Sequence, residues 1–346
     1  MRNKRLFLLL LMVATLSVIG GYAQSKYRIL SLPPAINSVN EEFSGMTLWK
    51  NRLYLAPQYG DHKETKLDGA FNLYSINADS IGRVIDRKDT ALTAYRTIKV
   101  YNLNLLPDSV KKYYEGFEAI TITNNQVYLS IETTDTYVYC FLLKGTLDTV
   151  KNELHIDPKH YISLKRQLFI TNAGFESVTY LPKENKLLAY YEFNATATGG
   201  IGFLIDPSFK KAPQKIKAPF LYFRITDIAA TKNDHIYGIN YFYNGDYNYY
   251  LDNKIVHRPE QHIKQTIPDL RDSLDRNPDY LKGKRTTYAR IITLDNYKST
   301  QWKQVAAFDG YKNNWEGIAL YRKGALVVTD ANRSSKQLNT FAYIEF

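Results

Sequence analysis

One cysteine in 346 residues excludes an intramolecular disulfide. That residue, Cys140, lies in the apolar run "YVYCFLL" with no thiolate-stabilising context in the sequence, and is expected to be a small core side chain. The histidines are few and scattered: His155, His160, His235, His257 and His262 show no metal-ligand spacing, which argues against zinc. Beyond the N-terminal stretch no segment approaches the ~20 apolar residues of a membrane helix, so the chain is not expected to span a membrane. Clustering of positive charge is also missing. The formal net charge is +11, but Lys and Arg are spread along the chain, so no nucleic-acid partner is expected. No Gly-rich phosphate loop, nucleophile elbow or zinc-protease helix motif occurs.

The first residues, "MRNKRLFLLLLMVATLSVIGGYAQS", combine a basic start, a short apolar run and the small-residue pattern Gly21, Tyr22, Ala23. This predicts a secretory signal peptide over residues 1–23, cleaved before Gln24, and a secreted or periplasmic protein. No cysteine follows the run, so no lipid anchor is expected. Removing residues 1–23, with Arg2, Lys4 and Arg5, would leave 323 residues with a formal charge of +8. Residues 24–346 are expected to form a single, monomeric domain.

Tyrosine is abundant, with 29 residues, and 16 phenylalanines join it in short alternating runs such as "NRLYLAP", "FNLYSI" and "RIITLDN". Period-two alternation of aromatic and β-branched residues, punctuated by Asn, Gly, Asp and Pro, predicts strands nearly throughout and an all-β fold. A closed radial arrangement that removes sheet edges is favoured at this length.

The strands repeat. "FSGMTLWKNRLYLAPQ", "FEAITITNNQVYLSIE", "FESVTYLPKENKLLAYYE", "TDIAATKNDHIYGINY" and "WEGIALYRKGALVVTD" align as hairpins led by Ser44, Glu118, Glu176, Asp227 and Glu316. Fourteen residues after each leader, or sixteen in the third, come Gln58, Glu132, Glu192, Tyr241 and Asp330. In a hairpin the start of the first strand and the end of the second lie together, so leaders and followers should share one face. Two further strand-like runs follow each hairpin, which gives the four-stranded blade of a β-propeller. Five blades are preferred. Six remain an alternative, because a polar insertion over about 244–285 could hide a degenerate blade. "YRILSLPP" could supply the missing outer strand of the last blade. The insertion leaves from the leader face, where a lid over the channel mouth is one reading.

If the first strands converge on an axis, their carboxylates repel: two unit charges ~4 Å apart cost about 1 kcal/mol in water and several-fold more near a protein interior. A cation, protons or basic partners must relieve this, and the repeated "[ED]-x-[IVA]" pattern supplies no Lys or Arg. A hard divalent cation suits the oxygen donors. Ca2+ is expected, at Ser44, Glu118, Glu176, Asp227 and Glu316. The alternative is that these acids hydrogen-bond backbone amides of the neighbouring blade and lock the ring.

The strands "EEFSGMTLWKNRLYL", "FESVTYLP" and "WEGIAL" resemble those of the calcium-activated nucleotidase (apyrase) family, whose members are five-bladed propellers with a central Ca2+. "EGIA" followed by "VVTDAN" is similar to the phytase-like or esterase-like propeller domain. The resemblance implies the same five metal positions, although Asp227 stands where the apyrase pattern has a serine.

Loops on the leader face could complete a hydrolase. "QYGDHKETK" contributes Asp61, His62 and Lys63, and "DANRSSKQ" contributes Arg333 and Lys336. A carboxylate or His62 would activate water and Arg333 would hold an anion, which predicts metal-dependent hydrolysis of anionic, first of all phosphate, esters. A non-catalytic propeller binding carbohydrate or protein through rings such as those in "YFYNGDYNYY" is the alternative.

Overall fold

A computed structural model of the chain describes residues 26–38, 40–59, 67, 71–167, 170–196, 199–242, 246, 249, 254–256, 289–307, 314–331 and 339–346. The signal-peptide expectation over residues 1–23 lies outside them, as do Asp61, His62, Arg333 and most of the 244–285 insertion.

The strands form five four-stranded units, the first two joined at their outer edges into one eight-stranded sheet by parallel pairing from Lys99↔Glu153 to Tyr101↔His155. The first comprises β2 (Phe43–Trp49), β3 (Arg52–Pro57), β4 (Phe71–Asn77) and β5 (Arg96–Tyr101), with the helix α1 (Ala78–Ile85) between the last two. The second comprises β6 (Tyr114–Thr123), β7 (Gln126–Thr133), β8 (Tyr139–Asp148) and β9 (Glu153–Lys165). The third comprises β10 (Ser177–Leu181), β11 (Lys186–Tyr190), β12 (Gly200–Ile205) and β13 (Gln214–Ala218). The fourth comprises β14 (Arg224–Ala230), β15 (Ile236–Tyr241), β16 (Ala289–Leu294) and β17 (Lys303–Ala307). The fifth comprises β18 (Asn314–Tyr321), β19 (Gly324–Asp330), β20 (Phe341–Glu345) and, outermost, β1 (Lys26–Leu30), which pairs antiparallel with β20 from Lys26↔Glu345 to Leu30↔Phe341. The "YRILSLPP" segment therefore closes the last blade as its sequence suggests.

The inner strands β2, β6, β10, β14 and β18 follow one another round a ring, and β18 returns to β2. The 244–285 insertion falls between β15 and β16, inside the fourth blade. Because β14 touches β18 directly, the ring of described strands closes at five and not at six. The fold is an all-β propeller.

Local chemistry explains the blades. The turns Lys50–Asn51 and Asn124–Asn125 have both residues at positive φ (45° and 60°; 48° and 61°), the geometry of the two-residue turns that match strand twist and that Asn tolerates. Five apolar clusters fill the spaces between successive blades, among them Phe71, Phe117 and Phe141 between the first and second and Trp315, Ile239 and Ile318 between the fourth and fifth. A middle strand is thus covered on both sides, and "GIGFLI" and "GALVVTD" are buried along their whole length. Alternation survives only in outer strands such as β5, whose Ile98 is buried between exposed neighbours. At the axis the blades approach closely: a Cβ at Gly45 would come within 2.9 Å of the Glu118 carbonyl oxygen.

Cys140 is wholly buried, as expected. Arg166 Nε donates to its sulfur at 3.4 Å, yet burial outweighs that charge and pushes the thiol pKa up. Among the described residues no helix is long and apolar enough to cross a membrane.

Candidate functional site

A cavity of about 200 Å3 opens at one end of the axis. Its wall includes the leaders Ser44, Glu118, Glu176 and Glu316 and all five followers, Gln58, Glu132, Glu192, Tyr241 and Asp330. Residues spread over nearly three hundred positions of sequence therefore meet because each sits at the same end of its hairpin.

The leaders Ser44, Glu118 and Glu316 are aimed by β-bulges; Glu176 reaches the cavity from just before an unbroken strand pairing. The pairing register slips between Phe43 and Gly45, Phe117 and Ile120, Ile225 and Asp227, and Trp315 and Gly317. At each slip one or two residues are squeezed out of the ladder, which turns Ser44, Glu118 and Glu316 towards the axis. In the fourth blade the extruded residue is Thr226, and it lines the cavity.

Asp227 is therefore a correction to the sequence-derived set. One residue beyond the bulge, its side chain leaves the cavity and accepts from the backbone N–H of Ile228 at 2.8 Å and, across the ring in the fifth blade, from that of Ile318 at 2.9 Å. It is a clasp between blades, the alternative role for these acids, realised at one position. The hydroxyl residues Ser44 and Thr226 also stitch blades, donating to the carbonyls of Phe117 and Trp315. Their protons are committed, so only oxygen lone pairs face the cavity.

Acidity is concentrated in three blades, where leader and follower are both carboxyls: Glu118 with Glu132, Glu176 with Glu192, and Glu316 with Asp330. Burial, and then repulsion from Glu132, Glu192 and Asp330 respectively, pushes Glu118, Glu176 and Glu316 well above the usual carboxylate range. Burial and Glu192 push Glu132 up to about 8, with Arg166 and Arg224 acting in the opposite direction. Gln58 Nε2 donates to Glu118 Oε1 at 2.8 Å. Oε1 of Glu132 and Oε2 of Glu176 are buried without a hydrogen-bond partner among the described residues.

A basic partner exists after all. Arg224, fully buried at the start of β14, places Nη1 2.8 Å from Glu192 Oε2 and forks Nε and Nη2 onto Asp246 at 2.5 and 2.6 Å. It also donates to the carbonyls of Thr171 and Asn172. Burial nevertheless pushes the Glu192 carboxyl above the usual carboxylate range, with Arg224 acting in the opposite direction. The search for a partner among the leaders missed Arg224 because it stands two residues before Thr226. The equivalent positions elsewhere are Glu42, Gly116, Gly174 and Asn314, of which Glu42 and Asn314 also line the cavity. Reading two residues upstream of each leader would have found them.

Among the described residues no group of three or more His, Cys, Asp or Glu side chains is arranged to hold a metal ion. The donor chemistry nevertheless suits a hard cation: seven carboxyl groups, the two aliphatic hydroxyls of Ser44 and Thr226 and a glutamine in one small cavity.

No family model matches the chain, and no curated protein matches it. Among solved structures the fold is similar to an aldose sugar dehydrogenase from Streptomyces coelicolor, in its PQQ-bound form, with 12% identity, a TM-score of 0.51 and coverage of 93% of this chain and 99% of that one. It is also similar to an exo-β-1,3-galactanase from Phanerochaete chrysosporium bound to β-1,3-galactotriose, with 8% identity, a TM-score of 0.50 and coverage of 92% and 64%. At such identities these likenesses speak for the fold. They support the propeller and neither the nucleotidase nor the phytase-like family.

Proposed function

We propose that the chain is an exported propeller whose axial cavity binds a divalent cation, Ca2+ first, and uses it to hydrolyse an anionic, phosphate-type ester. The observation that supports this most is the pair of buried carboxyl oxygens on Glu132 and Glu176 that have no hydrogen-bond partner among the described residues, within a cavity whose one lining cation among those residues, Arg224, is committed to Glu192 and Asp246. Leaving such oxygens without a partner is costly, and protons or a cation relieve it. Glu118, Glu132, Glu176 and Glu316 would hold the ion, with the lone pairs of Ser44 and Thr226 beside them. When bound, Ca2+ supplies charge that polarises a phosphoryl oxygen. Glu192, whose ionised form Arg224 favours, would accept a proton from water, and Gln58 orients Glu118.

A second reading is favoured by the likeness to an aldose sugar dehydrogenase and to a galactanase bound to galactotriose: a carbohydrate ligand in the same cavity. There Glu176, pushed well above the usual carboxylate range, would supply the acid and Glu192, paired with Arg224, the base without metal.

One panel separates the two. The purified chain is assayed in Ca2+ and in EDTA against aryl phosphates, nucleotides and phytate, and against aryl glycosides. Phosphate-ester turnover lost in EDTA and restored by Ca2+ is the expected result. Glycoside turnover that persists in EDTA would replace the first reading by the second, and silence on both panels would overturn both as catalytic accounts.

A further inference from the structure

We propose a second binding site, for a phosphate- or sulfate-type oxyanion, in a cleft of about 670 Å3 on the flank of the propeller, where β1 and β20 close the fifth blade beside α1. It is independent of the axial site. Its cations Arg322 and Lys323 form the turn between β18 and β19, at the opposite end of the hairpin from Glu316 and Asp330.

Four cations line the cleft: Arg28 on β1, Arg87 just after α1, and Arg322 and Lys323. Two acids share the wall, Asp86 and Glu345. Asp86 is already engaged, with Arg322 forked onto it at 2.7 and 3.2 Å and Lys88 at 3.8 Å. Arg28, Arg87 and Lys323 make no ion pair among the described residues, and Arg28 Nη1 is enclosed without a hydrogen-bond partner among them. Like charges gathered in one concavity repel unless an anion joins them. The negative end of α1 explains cations near its last turn, such as Arg87 and Arg322, but not Arg28 on a strand from the other end of the chain. Arg87 itself stands at φ 58°, just past the helix end, where glycine is the usual occupant.

Planar guanidinium groups with several donors match the oxygens of a tetrahedral anion. The rings of Tyr27 and Tyr343 on the same wall offer a surface for whatever carries the anion, such as a sugar ring. The anion could therefore be free or borne on a sugar.

The test is calorimetric titration of the purified chain with inorganic phosphate, inorganic sulfate and a sulfated disaccharide, at ionic strength held constant with chloride. One saturable equivalent is expected. The double variant Arg87→Asn with Lys323→Gln changes exposed side chains and should weaken binding roughly three- to tenfold. Asp86→Asn, which frees the Arg322 fork, should tighten it by a similar factor, a change of sign that mere loss of stability would not give. Tighter binding of the disaccharide than of sulfate would identify a sugar-borne anion, and equal binding a free one. The proposal is overturned if the parent shows no saturable binding of any of the three, or if binding is the same in parent, double variant and Asp86→Asn.

Discussion

Arg224 and Glu192 meet at 2.8 Å with both side chains almost entirely buried, and the same guanidinium holds Asp246, the first described residue of the insertion. One cation thus fixes the charge of the axial cavity and the point where the insertion leaves the fourth blade. Breaking a buried pair strands the other charge, so Arg224→Met should destabilise the chain by about 3–5 kcal/mol in denaturant unfolding. Adding Glu192→Gln to that variant should recover part of the loss, since one of the stranded carboxylates is then gone.

Asp227 and Glu316 lie in the same ring of inner strands, but only Glu316 lines the cavity. Asp227→Ala removes the acceptor for the N–H groups of Ile228 and Ile318, which should cost about 1–3 kcal/mol per group left unsatisfied. Its Ca2+ affinity, read by titration, should stay within about twofold of the parent's, which corresponds to less than 0.5 kcal/mol. Loss of Ca2+ binding in this variant would return Asp227 to the site.

Glu118→Gln and Glu316→Gln each remove a carboxyl ligand from the cavity. Their melting temperatures should fall below the parent's in saturating Ca2+ and lose most of their dependence on Ca2+ concentration. Variants that track the parent across the titration would contradict the metal role of these residues.

The pH dependence follows from carboxyls whose pKa is higher folded than unfolded. Glu132 binds its proton up to about pH 8 in the folded chain and only up to the ordinary carboxylate range when unfolded. Between those values the folded state binds more protons, so stability in EDTA should be greatest near pH 4–5 and fall as pH rises towards about 8. Ca2+ competes with those protons, so its stabilising effect should grow over the same interval. Thermal melts in EDTA and in Ca2+ across pH 5–8.5 check both slopes.

Much of this was legible in the chain because a hairpin places the two ends of its strands together. That rule alone gathers Glu118, Glu132, Glu176, Glu192, Glu316 and Asp330, and it pairs "YRILSLPP" with the last blade. It failed at Asp227 because the fourth hairpin departs from the fourteen-residue spacing: the cavity-lining Thr226 and Tyr241 are fifteen residues apart, so counting fourteen back from Tyr241 lands one residue past the bulge, on Asp227. The apyrase pattern's serine had pointed to a hydroxyl there. Arg224 was missed for a different reason: its role is set by contacts with Glu192 and Asp246, tens of residues away or beyond the hairpin, not by its own neighbours. Asp61, His62 and Arg333 lie outside the described residues, so the catalytic assignment of the loops stays an expectation from the sequence.

The central claim is that the axial carboxyls exchange protons for a divalent cation. It is tested most directly by calorimetric titration of Ca2+ into the EDTA-stripped chain near pH 7.5, repeated in two buffers of different ionisation enthalpy. The account predicts one saturating equivalent with net release of protons, lost in Glu118→Gln. No saturable binding, or binding that releases no protons, would contradict it.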